Sequence, residues 1–455
     1  LTLKPLKKTF YLTKTTISRV IPAVLCFLNE IAGKQSGMKP VSLFFILLLS
    51  AACACAQSAV FSKKADSLYR AKNYSAAAPL YIKAAKSTAR YETPKGHYYN
   101  AACCYALSGN QKLAKKYLQL AVEKYGYSNL DNMQKDGDLV SLHADPVWDK
   151  LIKKIQQKRI ALHDPRRARL VTDDIHHFWK AYDRVLTDTT RRKEIFVRDY
   201  FNHASPGLQD YFATKIGTID QFVRNQARKP RFYAAIRQNT LAIDTMKEEI
   251  YGYFDKLKSL YDEATFPDIY FLIGRWNSAG TVSDNGLLLG VDQIAKSPGI
   301  PEDELNMWER NNFTPVKKIP VIVIHELVHF QQSKMKEDTT LLFYAMVEGM
   351  ADFICELVTG SNPSQRQQDW AQTRRRQVWE DFQKEMYLQR YSNWIANGNQ
   401  ETADKPADLG YYMGYEICKA YYEKATDKKA AIKEMLELQD PKAFLEKSRY
   451  GERFK

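Results

Sequence analysis

Two apolar stretches that carry ionisable side chains constrain this chain more than any other feature. The first, VIVIHELVHFQQ from Val321 to Gln332, comes directly after Pro320. The second, Leu341 to Val358, contains Glu348, Gly349, Met350, Ala351 and Asp352, and stops at Gly360. Proline suits the first turn of a helix, and glycine its C-terminal cap. Each stretch therefore predicts a helix, and each is apolar enough to be buried. Buried carboxylates and imidazoles are costly unless they are partnered. The polar groups of these two helices must therefore satisfy one another.

The spacing says how. His325 and His329 are four residues apart, so only about 40° separates them around a helix axis and both imidazoles leave one face. That is what two nitrogen ligands of a single Zn2+ need. Glu326 rides on the same turn and can reach a water on such a metal. Glu348 as third ligand, and Asp352 one turn later bonded to the other nitrogen of a ligand histidine, would satisfy both buried carboxylates. Two His, one Glu and an open position form a catalytic type of zinc site rather than a structural one.

HELVH followed by EGMAD at this distance resembles the gluzincin metallopeptidases, the thermolysin-like class. More narrowly, residues from about 165 to the end resemble a bacterial family of zinc-dependent proteases of unknown function. The matching segments are Asp174-Ile175 with Phe178-Trp179, Gly280 to Asp292, the HELVH and EGMAD stretches, and Gly410 to Tyr415 (GYYMGY). The metzincin pattern requires Gly at 332 and His at 335, where this chain has Gln332 and Met335. The resemblance implies an α+β domain in which an edge strand within 280–292 pairs with extended peptide. It also implies Glu326 as general base and Tyr412 or Tyr415 as the donor to the oxyanion.

Ahead of this lies a different organisation. Ala65, Ala77, Tyr81 and Ala84 are matched, 37 positions later, by Ala102, Ala114, Leu118 and Ala121. Small residues at such spacings let paired helices approach closely, and Asn73-Tyr74 and Gly109-Asn110 mark the turns. The pattern resembles the tetratricopeptide repeat, with Val147, Trp148, Leu151, Ile152 and Ile155 reading as a capping helix. Residues 57–160 are thus expected to be a helical repeat module and 165–455 the metallopeptidase-like domain. The expected fold class is mainly α with a small β part.

The first Met is Met38. Lys39, the apolar run Val41 to Leu49 and the small residues up to Ala56 read as a signal peptide over 38–56, with 1–37 an upstream extension. The apolar run is shorter than the ~20 residues a spanning helix needs. The expected placement is periplasmic or secreted, with a lipid-anchored envelope protein as the alternative. Cys53 and Cys55 come after small residues, but Ser50 stands where a lipid-attachment motif has Leu.

The chain carries 67 Lys and Arg against 52 Asp and Glu, yet this excess is local. Residues 57–160 hold 18 basic and 8 acidic groups, whereas 161–455 hold 42 and 43. An acidic protein or an anionic envelope surface met by the repeats is the expected partner, besides a peptide or protein substrate; nucleic acid is not. Two functions compete. One is an exported zinc metallopeptidase whose repeats recruit substrate. The other is a non-catalytic envelope scaffold or assembly protein that uses both parts for protein binding.

Overall fold

A computed structural model describes residues 57–454; the expected extension over 1–37 and signal peptide over 38–56 lie outside them. The chain divides into two compact units, Leu1–Ala89 and Arg90–Lys455. No helix among the described residues is long and apolar enough to cross a membrane.

In the first unit, a helix over 57–70 is followed by the helix Tyr74–Lys86. Asn73 caps the latter, its side-chain oxygen accepting from the Ala76 N–H at 3.3 Å. Ala65, Ala77 and Ala84 are fully buried, so the two helices lie close.

The second unit opens with the same device. Helices Lys95–Leu107 and Gln111–Gln119 are joined through left-handed Gly109, and Asn110 caps the second through the Leu113 N–H at 3.2 Å. After this the repetition ends. A π-helical turn, Leu120–Lys124, leads into the short helix Leu130–Lys135, a 3-10 segment Gly137–Leu142, and the helix Pro146–Ala161. These helices pack onto the sheet-bearing part of the same unit. The Tyr91 ring lies 4.8 Å from that of Phe212, and Lys95 Nζ stands 3.5 Å from Asp210 and 3.6 Å from Asp284.

The remainder is mainly helical around one four-stranded sheet of order β1-β2-β4-β3. β1 (Leu170–Val171), β2 (Ile269–Leu272) and β4 (Gly286–Gly290) run parallel, and β3 (Gly280–Ser283) is antiparallel to β4. β2 and β4 are buried along their whole length, as strands covered on both faces are. β3 is half-exposed throughout and forms an open edge.

Against the sheet packs the HELVH helix, Ile319–Gln331, with Pro320 in its first turn as expected. The EGMAD helix, Leu341–Thr359, packs on it, begins at a Thr340 cap and ends at left-handed Gly360. A third helix, Leu409–Lys424, carries the GYYMGY segment and crosses the EGMAD helix where Gly349 and Gly414 meet backbone to backbone.

Asp174, in the first turn of helix Asp173–Thr187, is fully buried and accepts from the Ser205 N–H and hydroxyl. Burial pushes its carboxyl up from 3.8 to about 6, although the Ser205 bonds oppose the shift. Between these values the folded chain holds a proton that the unfolded chain has lost. Stability is therefore expected to fall as pH rises from about 4 to about 6, by up to roughly 3 kcal/mol, and then to level off. Chemical denaturation across this range should show that slope in the wild type and not in Asp174→Asn.

Candidate metal centre

His325 and His329 project from one face of the HELVH helix toward Glu348 of the EGMAD helix. His329 Nε2 lies 3.1 Å from His325 Nε2 and 3.1 Å from Glu348 Oε2, and His325 Nε2 lies 3.8 Å from that oxygen. A tetrahedral zinc with bonds of ~2.0–2.1 Å separates its ligand atoms by about 3.3 Å. The three donors thus stand at the spacing such an ion requires, and two neutral nitrogens with one carboxylate are a donor set it prefers. On this geometry the residues fit Zn2+.

A polar group stands behind each donor. Asp352 Oδ1 lies 2.9 Å from His325 Nδ1, one helical turn beyond Glu348 and fully buried. The Gln332 side-chain oxygen stands 2.8 Å from His329 Nδ1, while its amide nitrogen donates to the Val347 carbonyl at 2.8 Å. That bond makes Nδ1 the protonated nitrogen and leaves Nε2 for the centre. Tyr411 reaches the Glu348 carboxylate with its phenol. Its ring lies nearly parallel to that of His325, 6.3 Å away.

The sequence brings out Asp352 but not Gln332 or Tyr411. Gln332 is one turn after His329 on the same helix, so its position is available from the spacing. Tyr411 sits in GYYMGY, where Tyr412 and Tyr415 are the expected donors. The structure places those two elsewhere. Tyr412 is buried beside the Arg375–Glu416 ion pair and Tyr450. Tyr415 falls past the Gly349–Gly414 crossing, its ring 5.6 Å from that of Phe353. Replacing Tyr411 by phenylalanine is expected to weaken zinc binding about 10- to 100-fold, the usual effect of losing a group that orients a ligand. Competition against a chromophoric chelator measures it.

Glu326 stands on the flank of the same helix, beside the histidines and against β3. A Cβ built on Gly280 would lie 2.1 Å from its Oε1, so glycine is what admits this side chain. β3 is fixed in turn by the Tyr211 hydroxyl, which donates to the Ser278 carbonyl at 2.7 Å. Asp292 accepts the N–H groups of Gly274 and Trp276, each at 3.1 Å, and so fixes the loop that leads to it.

Charge is concentrated here. Burial raises the Glu326 carboxyl against the pull of both histidines. Burial also opposes charge on His329, yet Glu348 outweighs it and lifts the imidazole to about 9. Burial likewise opposes the Glu348 carboxylate, which His329 nonetheless holds at about 2. Two half-buried carboxylates, Glu326 and Glu348, and fully buried Asp352 thus surround the two imidazoles.

Among the described residues, a second group of potential ligands is Cys103, Asp136 and Asp138. Asp136 already accepts from the Tyr99 hydroxyl at 2.8 Å, and burial keeps the Cys103 thiol protonated. The remaining cysteines of the described residues, Cys104, Cys355 and Cys418, are buried and free.

A protein-family model described as gliding motility protein GldB, with a short label that marks a lipoprotein, matches residues 168–452. No curated protein and no solved structure matches. The matched family is not a zinc-protease family, and this corrects the resemblance to gluzincin metallopeptidases. HELVH and EGMAD lie inside the match, but they specify a ligand geometry, which unrelated lineages share, rather than descent. The tetratricopeptide resemblance is not shown either: the match begins after those helices, and the hairpin pattern stops at the turn Leu120–Lys124.

Proposed function

Because this chain belongs to the family of the gliding motility protein GldB, we propose that it is a lipid-attached component of the bacterial envelope that assembles with protein partners of gliding. Its working part is the centre at His325, His329 and Glu348, where Zn2+ fixes the HELVH helix to the EGMAD helix. The convergence of these donors inside the family-matched region carries the proposal.

The partner surface is the open edge of β3. Gly290 N–H donates to the Ala279 carbonyl, and Gly280 pairs with Leu289, so alternate residues of the strand face β4. The main chain of Gly280 and Val282 therefore points outward, where an extended segment of another protein can add as a strand, sharing or displacing the bond that the Ser278 hydroxyl donates to the Gly280 carbonyl at 2.7 Å.

A second reading rests on Glu326. A zinc ion held here would act as a Lewis acid. Glu326, beside the ligands and not one of them, could take and return a proton, which makes hydrolysis at this centre the alternative.

One comparison separates the readings. Cells carrying His329→Ala or Glu326→Gln are scored for gliding, with protein level followed by immunoblot. Loss with His329→Ala and retention with Glu326→Gln is the expected result. Equal loss in both favours hydrolysis. Normal gliding with His329→Ala overturns the proposal.

A further inference from the structure

We infer that the outward face of helix Pro146–Ala161 docks on an anionic lipid surface. The helix turns Trp148, Leu151, Ile152 and Ile155 inward. At about 100° per residue, the opposite arc presents Lys150, Lys153, Lys154, Gln157 and Ile160, all of them exposed. Lys153 and Lys154 form no ion pair among the described residues. Lys150 reaches Glu123 at 3.2 Å but keeps 65% of its side chain exposed. Besides Glu123, the carboxylates at this face are Asp149, at the margin of the arc, and Asp164, past the end of the helix. Ile160, among these lysines, is 68% exposed. It borders a shallow depression lined also by Gln157, Ala161, His163, Asp164 and Arg167.

Lysines around an exposed aliphatic side chain are what an interfacial helix offers to lipid. The ammonium groups meet headgroup phosphates, and the apolar tip enters the acyl boundary. An acidic protein would use the lysines alone, whereas a lipid surface uses Ile160 with them. The face also sits where the basic excess of the sequence sits, while the family-matched region is balanced in charge. The inference rests on the envelope placement proposed above and not on the metal centre.

The full chain with Cys53→Ser and Cys55→Ser, which leaves no thiol there for acylation, is sedimented with phosphatidylcholine vesicles with and without phosphatidylglycerol. The expected result is binding that needs phosphatidylglycerol, weakens with added salt, and drops in K150Q/K153Q/K154Q. At about five-fold per lysine near a charged surface, the triple variant should lose roughly hundredfold. These side chains are exposed, so its circular dichroism should match that of the parent. Equal binding by the triple variant, equal binding to neutral vesicles, or no binding by the parent overturns the inference. So does retention on polyglutamate resin without vesicle binding, which would assign the face to an acidic protein. His329→Ala should bind vesicles like the parent, so failure here and failure of the metal centre are told apart.

Discussion

Valine at position 414 is expected to unfold the second unit or leave it without fixed packing, at a cost above about 4 kcal/mol. A Cβ on Gly414 would lie 1.8 Å from the Ala345 carbonyl oxygen and 2.5 Å from its carbon, and one on Gly349 would lie 2.0 Å from Tyr415 N. These obstacles are backbone, so no rotamer change relieves them. The EGMAD helix and the helix Leu409–Lys424 would have to separate, opening space around Met346, Met350, Met413 and Ile417, which are all buried. Glu348 and Tyr411 sit beside that crossing, so the centre would be lost with the packing. Gly96→Ala is the control: nothing lies within 4 Å of a Cβ there, and the residue is helical, so it should be neutral or slightly stabilising. Urea unfolding followed by circular dichroism compares the two. Gly414→Val with wild-type stability would mean that the helices do not cross at these glycines.

The second large effect concerns His329. Its removal is expected to weaken zinc binding by well over the ~100-fold that losing an orienting group costs. Zinc should also stabilise the wild type by linkage, by about 2.7 kcal/mol at a hundred times its dissociation constant. His329→Ala should show no such gain. Without the imidazole, Glu348 keeps only His325 to balance its charge, at 3.8 Å, so the zinc-free variant should also melt below the zinc-free wild type. Scanning calorimetry of both proteins, with zinc and with chelator, gives the four values needed.

The sequence reports some of these features well because local rules govern them. Burial of both apolar stretches, their caps at Pro320 and Gly360, and the shared face of His325 and His329 come from helical periodicity alone. Glu348 and Asp352 emerge because buried carboxylates need partners. Tyr411 could not be chosen over Tyr412 and Tyr415 by the same means. Which tyrosine faces the centre depends on where one helix crosses another, and the contact of Gly349 with Gly414 sets that position. Gln332 is legible in principle, three residues past His329, but a glutamine carries no signal until the tautomer of its neighbour matters. The packing of Tyr91 and Lys95 onto Phe212, Asp210 and Asp284 is also silent in the sequence, since local charge describes a surface and not what it rests on. Family is a different matter. HExxH with an acidic helix after it brings three potential donors within reach of one another, but as a sign of lineage it is read wrongly.

Anomalous scattering at the zinc edge, from crystals of the full chain grown with zinc, tests the centre most directly. One strong peak is expected, about 2 Å from each of His325 Nε2, His329 Nε2 and a Glu348 oxygen. Crystals with no peak there, or with zinc at Cys103, Asp136 and Asp138 instead, would contradict a metal centre between the HELVH and EGMAD helices.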